Sequence, residues 1–172
     1  MNAVASTAVI PVPWSEWVRG DYCTIAVVKR TASDFEQKLG VRFDDDMEDG
    51  LGRIKAAGFK MANGRFFTLI EHLQAPERPS LSIGCLNDQH FSTDLEDVLE
   101  ALDLASADLM RHKGQLCISS HAVLVPHVLY RQDDNGNKVV ANTFPCRADA
   151  TRQMKLLEHA VHKQTYWVEA LV

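Results

Sequence analysis

The chain has 172 residues, 46% hydrophobic and 24% charged, with a formal net charge of -5. That composition suits a globular protein with a sizeable buried core, as one domain or two small lobes, and excludes a disordered chain. The acidic balance supplies no general field for a phosphate backbone, so a basic protein is a better-matched partner than nucleic acid.

The cysteines, Cys23, Cys85, Cys117 and Cys146, never form C-x-x-C, which argues against a zinc knuckle and a thioredoxin-type motif. The opening MNAVASTAVIPVPW lacks a basic start, and Pro11 and Pro13 break its apolar run, so it does not read as a secretory signal. No apolar stretch approaches the roughly 20 residues that span a bilayer. The expectation is a cytoplasmic protein with reduced thiols and no membrane partner.

In chain order, residues 1–20 read as an irregular leader carrying Trp14 and Trp17 at i, i+3, rings that suit docking on the core or anchoring a partner. Residues 22–29 (YCTIAVVK) form a short β-branched strand. Ser33 and Glu36 give a capping box for a helix that stops at Gly40. The acidic run Asp44, Asp45, Asp46, Glu48 and Asp49 follows as a loop, and residues 51–59 are compatible with a second short helix. Residues 65–73 and 80–86 pair as strands. Thr93 and Glu96 form a second capping box for a helix whose apolar positions run from Leu95 to Leu109, closed by His112, Lys113 and Gly114.

A lobe boundary falls near Gly114, dividing an N-terminal lobe, 1–114, from a C-terminal lobe, 115–172. Beyond it lie an apolar stretch over 116–130 interrupted by Pro126, the type I′ turn signal Asn135-Gly136, and the returning strand VVANTF. A helix follows over 147–162 with Ala150, Met154, Leu157 and Val161 on one face, and TYWVEALV closes as a strand. Strands joined by hairpins, with helices on one face, describe an α+β fold, mostly antiparallel, ending in a ββαβ unit.

Motifs for chemistry fail one by one. Counted from Asp44, an EF-hand loop would need Gly where Asp49 stands and Glu where Lys55 stands. His159 and His162 share a helix face and Cys117 and His121 share a strand side, yet no third ligand lies at a diagnostic spacing. G-x-S-x-G, S-x-x-K, H-E-x-x-H and a phosphate-binding loop are absent, and KMANGRFF at 60–67 falls short of a base-stacking strand. Cys23 and Cys85 lie in apolar runs that raise a thiol pKa. The sequence therefore predicts no catalytic residue, no metal and no cofactor, although an active site dispersed along the chain escapes motif reading.

The stretch from Tyr130 to Glu169 carries R-x-D-D-N-G-N at Arg131 to Asn137, F-x-x-R-x-x-A at Phe144, Arg147 and Ala150, and H-K-Q-x-Y-W-V from His162 to Val168. It resembles a small bacterial SPOR-like module. The resemblance implies a compact hairpin–helix–strand unit and, through the family at large, binding of peptidoglycan strands. YCTIAVVKR with its capped helix is similar to the start of uncharacterised bacterial proteins of immunity type.

Within HKQTYW the strand alternation buries one of Tyr166 and Trp167 and turns the other outward. Lys163, Gln164, Tyr166 and Trp167 then become candidate contact residues beside the acidic run Asp44, Asp45, Asp46, Glu48 and Asp49. These observations predict a non-enzymatic protein-binding protein, an immunity-type inhibitor meeting a basic toxin or effector. A glycan- or nucleic-acid-binding module and an enzyme with a dispersed site are the alternatives.

Overall fold

The computed structural model describes residues 9–14, 22–48, 50–76, 79–86, 91–110, 124–133, 135–159 and 164–171, with the side chains of 91–94 left aside. Among these residues nine strands and three α-helices follow one another: β1 (Ile10–Val12), β2 (Tyr22–Val28), α1 (Ala32–Leu39), β3 (Asp44–Glu48), β4 (Gly52–Lys60), β5 (Phe66–His72), β6 (Leu81–Leu86), α2 (Phe91–Ala101), β7 (His127–Gln132), β8 (Lys138–Phe144), α3 (Arg147–His159) and β9 (Thr165–Ala170). All strand pairs are antiparallel, and the α+β expectation holds.

Six strands form the larger sheet in the order β1-β4-β5-β6-β2, with β3 paired to β4 beside β1. Alternation sends Ala57, Phe59, Phe67, Leu69, Leu81, Ile83 and Cys85 to one face, where they pack with Phe35 of α1 and Leu95, Val98 and Leu99 of α2. Phe59 and Phe67 stack at 5.1 Å between centroids. The opposite face carries Ile54, Ala56 and Ile70 under Trp14 and Tyr22, so Trp14 does dock. Trp17 lies outside the described residues.

The smaller sheet, β8-β7-β9, completes the ββαβ unit with α3 packed chiefly on β9. Cys146 and Ala148 at the start of α3 belong to the same apolar cluster as α1, α2 and the larger sheet. Arg147 joins the units by charge: its backbone N–H donates to Glu96 at 2.9 Å, its Nε to Glu100 at 3.0 Å, and its guanidinium pairs with Asp97. The lobe boundary expected at Gly114 falls outside the described residues.

Several sequence expectations are corrected. Residues 52–60 are strand β4 rather than a helix: with Gly58 and the β-favouring Phe59 in line, they pair along their length with β5. Helix α1 is capped by Thr31 and Asp34, two residues before the expected box, while Gly40 closes it as read. Thr93 sits inside α2, and Glu96 is a buried acceptor rather than a cap. Helix α2 ends at Ala101 because Asp103 takes a positive φ of 49°, held by Lys38 and Arg152. Leu109 instead bridges to Val28. In the last hairpin, Gly136 takes a positive φ of 85° and its N–H donates to the Asp133 carbonyl at 3.0 Å, so the turn hydrogen bond closes on Gly136 rather than bracketing Asn135-Gly136 as a type I′ turn would. The Asp133 carboxylate accepts from the N–H groups of Asn135 and Asn137 and props a longer loop.

Candidate functional site

The acidic run is a strand, not a loop. Asp44 to Glu48 form β3, in register with Ala56 to Gly52 of β4, and among the described residues no strand pairs with its outer edge. Alternation places Asp44, Asp46 and Glu48 on one side and Asp45 and Met47 on the other. Aspartate disfavours strands, so the partner strand imposes this conformation, and the only local cue is the pair Gly50 and Gly52 in the connecting turn.

Half of these carboxylates are engaged by the fold. Trp14 Nε1 donates to Asp46 Oδ2 at 2.8 Å, and the Tyr22 hydroxyl donates to Glu48 Oε1 at 3.4 Å. Burial pushes the Tyr22 hydroxyl up to about 12, with Glu48 adding to the shift, so it serves as a fixed donor at neutral pH. Glu48 Oε2 lies 3.8 Å from His72 Nδ1, and neither atom has a hydrogen-bond partner among the described residues. Thus Asp46 holds the segment that carries Trp14, and Glu48 reaches Tyr22 of β2, on the back of the sheet. Asp45 faces solvent beside Met47, which is 66% exposed, and Asp44 faces solvent on the other side of the strand. Asp45 has a loose ion pair with Arg53 at 3.9 Å, both exposed. Asp49 lies outside the described residues.

The second predicted group divides as its alternation required. Tyr166 is the buried ring, its hydroxyl donating to Gln164 Oε1 at 3.2 Å, and Trp167 is half-buried on the opposite face. Lys163 lies outside the described residues. Trp167 stacks on Tyr130 at 5.6 Å, and Lys138 Nζ sits 3.7 Å above the Tyr130 ring. Glu169 accepts from Lys138 Nζ at 2.9 Å and from Trp167 Nε1 at 2.8 Å. The hydrogen bond from Lys138, followed by that from Trp167, holds the Glu169 carboxyl below its ordinary value.

Reading the sequence missed Tyr130, Lys138 and Glu169 as members of this group. They come from three strands, and only the register Gln132 with Lys138 and Tyr130 with Trp167 brings them together. The alternation within TYWVE is the one local signal. The remaining charge cluster, Glu96, Asp97, Glu100 and Arg147, is tied up in joining α2 to α3.

Among the described residues, no group of three or more His, Cys, Asp or Glu side chains is arranged to hold a metal ion. Nor, among them, is any helix long and apolar enough to cross a membrane. Comparison with known proteins finds no matching family model, no matching curated protein and no matching solved structure.

Proposed function

We propose that this chain is a non-enzymatic docking protein, an immunity-type inhibitor that presents the acidic edge strand β3 to a basic site on a bacterial toxin. The observation that carries the reading is the solvent-facing placement of Asp44 and Asp45 on a strand whose outer edge pairs with no strand among the described residues, with an exposed Met47 on the Asp45 side. A strand fixes the spacing of its carboxylates, so less ordering entropy is lost on association than from a loop. Complementary charge raises the association rate and makes binding sensitive to salt. The net charge of -5 favours the same class of partner.

The test is affinity capture from native lysate at low and high salt, comparing the wild-type chain with the double variant D44K/D45K. A protein held by wild type, released by salt and lost from the variant supports the reading. Equal capture by the charge-reversed variant contradicts it.

A second reading, SPOR-like glycan binding, is favoured by one feature, the stacked Tyr130 and Trp167 rings on the sheet face away from α3. Sugar rings pack on such apolar surfaces, and Trp167 reports their arrival. Titration with muropeptides should then change an emission component that is missing in Trp167→Phe. An unchanged spectrum removes this reading.

A further inference from the structure

The unit built from β7, β8, β9 and α3 has an asymmetry that the docking strand does not use. Helix α3 packs chiefly on β9, and β8 is left exposed from Lys138 to Thr143. Between α3 and β8 a cleft of about 370 Å³ opens, large enough for side chains of a bound chain and within the range of ligand sites. Its apolar lining comes from Leu129, Val140 and Leu157, and its polar lining from Arg131, Asn142 and Gln153.

Leu129 is fully buried at the floor, whereas Val140 at the rim is 57% exposed although its chemistry favours burial. Arg131 is exposed and forms no ion pair or side-chain hydrogen bond among the described residues, acting only at longer range on Asp133. The outer edge of β8 pairs with no strand among the described residues. Unlike β3, it carries no carboxylate to repel an added chain; its one charge is Lys138, already joined to Glu169.

We infer that this cleft receives an extended segment of a partner protein, which adds to β8 as a fourth strand and lowers one aliphatic and one acidic side chain into the groove. Strand addition satisfies the free amides and carbonyls of β8, and pockets beneath the strand select alternate side chains. Leu129 and Arg131 stand two residues apart on β7 and share its α3-facing side. β8 lies between them and an incoming strand, which runs one strand further out along the same direction, so the residues it turns to the α3 side also stand at alternate positions. The aliphatic side chain meets Val140 and Leu157 above the buried Leu129, and the carboxylate meets the long Arg131 guanidinium reaching over β8 in a charge-assisted hydrogen bond. This surface lies on a different sheet from β3 and does not depend on the acidic strand.

The experiment is an amide NMR titration of the full chain with the blocked peptide acetyl-Thr-Leu-Thr-Glu-Thr-amide. Shifts should cluster on Val139 to Asn142 and on Gln153 and Leu157. Affinity should fall roughly tenfold or more when the peptide glutamate becomes glutamine, and by a similar factor in Arg131→Gln, since a charged hydrogen bond is lost each time. The peptide variant leaves the protein untouched, so this readout does not depend on Arg131→Gln folding. The D44K/D45K variant should bind the peptide as wild type does. Shifts absent or centred elsewhere, equal binding of the glutamine peptide, or equal binding of N-acetyl-leucine alone would each overturn the inference.

Discussion

Glu96 shows how tertiary structure reassigns a residue whose local pattern is clear. Three positions after Thr93, it fits the third place of a capping box, but α2 begins at Phe91 and carries it a turn further in. There it is 4% exposed and accepts from the backbone N–H groups of Val125 at 3.2 Å and Arg147 at 2.9 Å. Burial raises its pKa above the ordinary 4.5, outweighing those two bonds and the attraction of His127 and Arg147. The folded state therefore holds this proton more readily than the unfolded chain does. Where the folded state binds more protons, stability falls as pH rises. Glutamine cannot titrate, so the stability of wild type relative to Glu96→Gln should decline as pH rises through and above 4.5, then level off once the carboxyl is ionised in both states. Urea melts of both proteins across the acid range measure this difference, and a relative gain in stability on raising the pH would contradict it.

The same scale explains the misplaced cap of α1. Both T-x-x-D at Thr31 and S-x-x-E at Ser33 satisfy the capping rule. The helix takes the first because Thr31 and Asp34 bond reciprocally and the N–H of Ala32 reaches the buried Glu71 carboxylate at 2.9 Å. Glu71 comes from β5, far along the chain, so local reading had no means to choose.

At the scale of elements, hairpins and periodic helices were readable and context-made strands were not. Strands β2, β5 and β6 carry their own β-branched and aromatic signal. Strand β3 carries the opposite signal and exists because β4 pairs with it and because Trp14, Tyr22 and Arg53 neutralise or bond its charges. Its acidity also serves an edge: like charges along a free edge discourage pairing with stray chains. Alternation in β9 correctly separated Tyr166 from Trp167, but the outward group around Trp167 needed the register of three strands.

That register has a chemical consequence at β2 and β6, where Cys23 stands directly opposite Cys85. Opposite residues of an antiparallel pair bring their Cβ atoms to about 4.5–5.5 Å, a small adjustment from disulfide geometry. Cys23 is partly exposed, whereas burial pushes the Cys146 thiol up to about 11 and slows its reaction. In a Cys117→Ser variant, gentle oxidation should link Cys23 to Cys85 and leave Cys146 free. Peptide mapping reads the pairing, and a link to Cys146 would contradict the ladder.

For the whole molecule, the start of α3 is packed into the core beneath the larger sheet. Cys146 and Ala148 sit among the side chains of α1, α2 and the larger sheet, and Arg147 spans to Glu96, Asp97 and Glu100. Ionic and apolar contacts therefore hold the C-terminal unit in a fixed relation to the strand proposed to dock. The ββαβ unit was legible because the position of its turn, its helix periodicity and its strand alternation are all local, although the turn type was not. The joining of α3 to α2 was not, since its contacts link residues some 50 positions apart.

The proposed docking role requires groups on the surface that are already ordered before a partner arrives. Hydrogen–deuterium exchange on the full chain, alone and with the captured basic protein, tests that claim most directly. The amides of Asp44 to Met47 should exchange more slowly in the complex, with the protection fading as salt is raised. Protection confined to other strands, or unaltered by salt, would contradict the assignment of β3 as the docking edge.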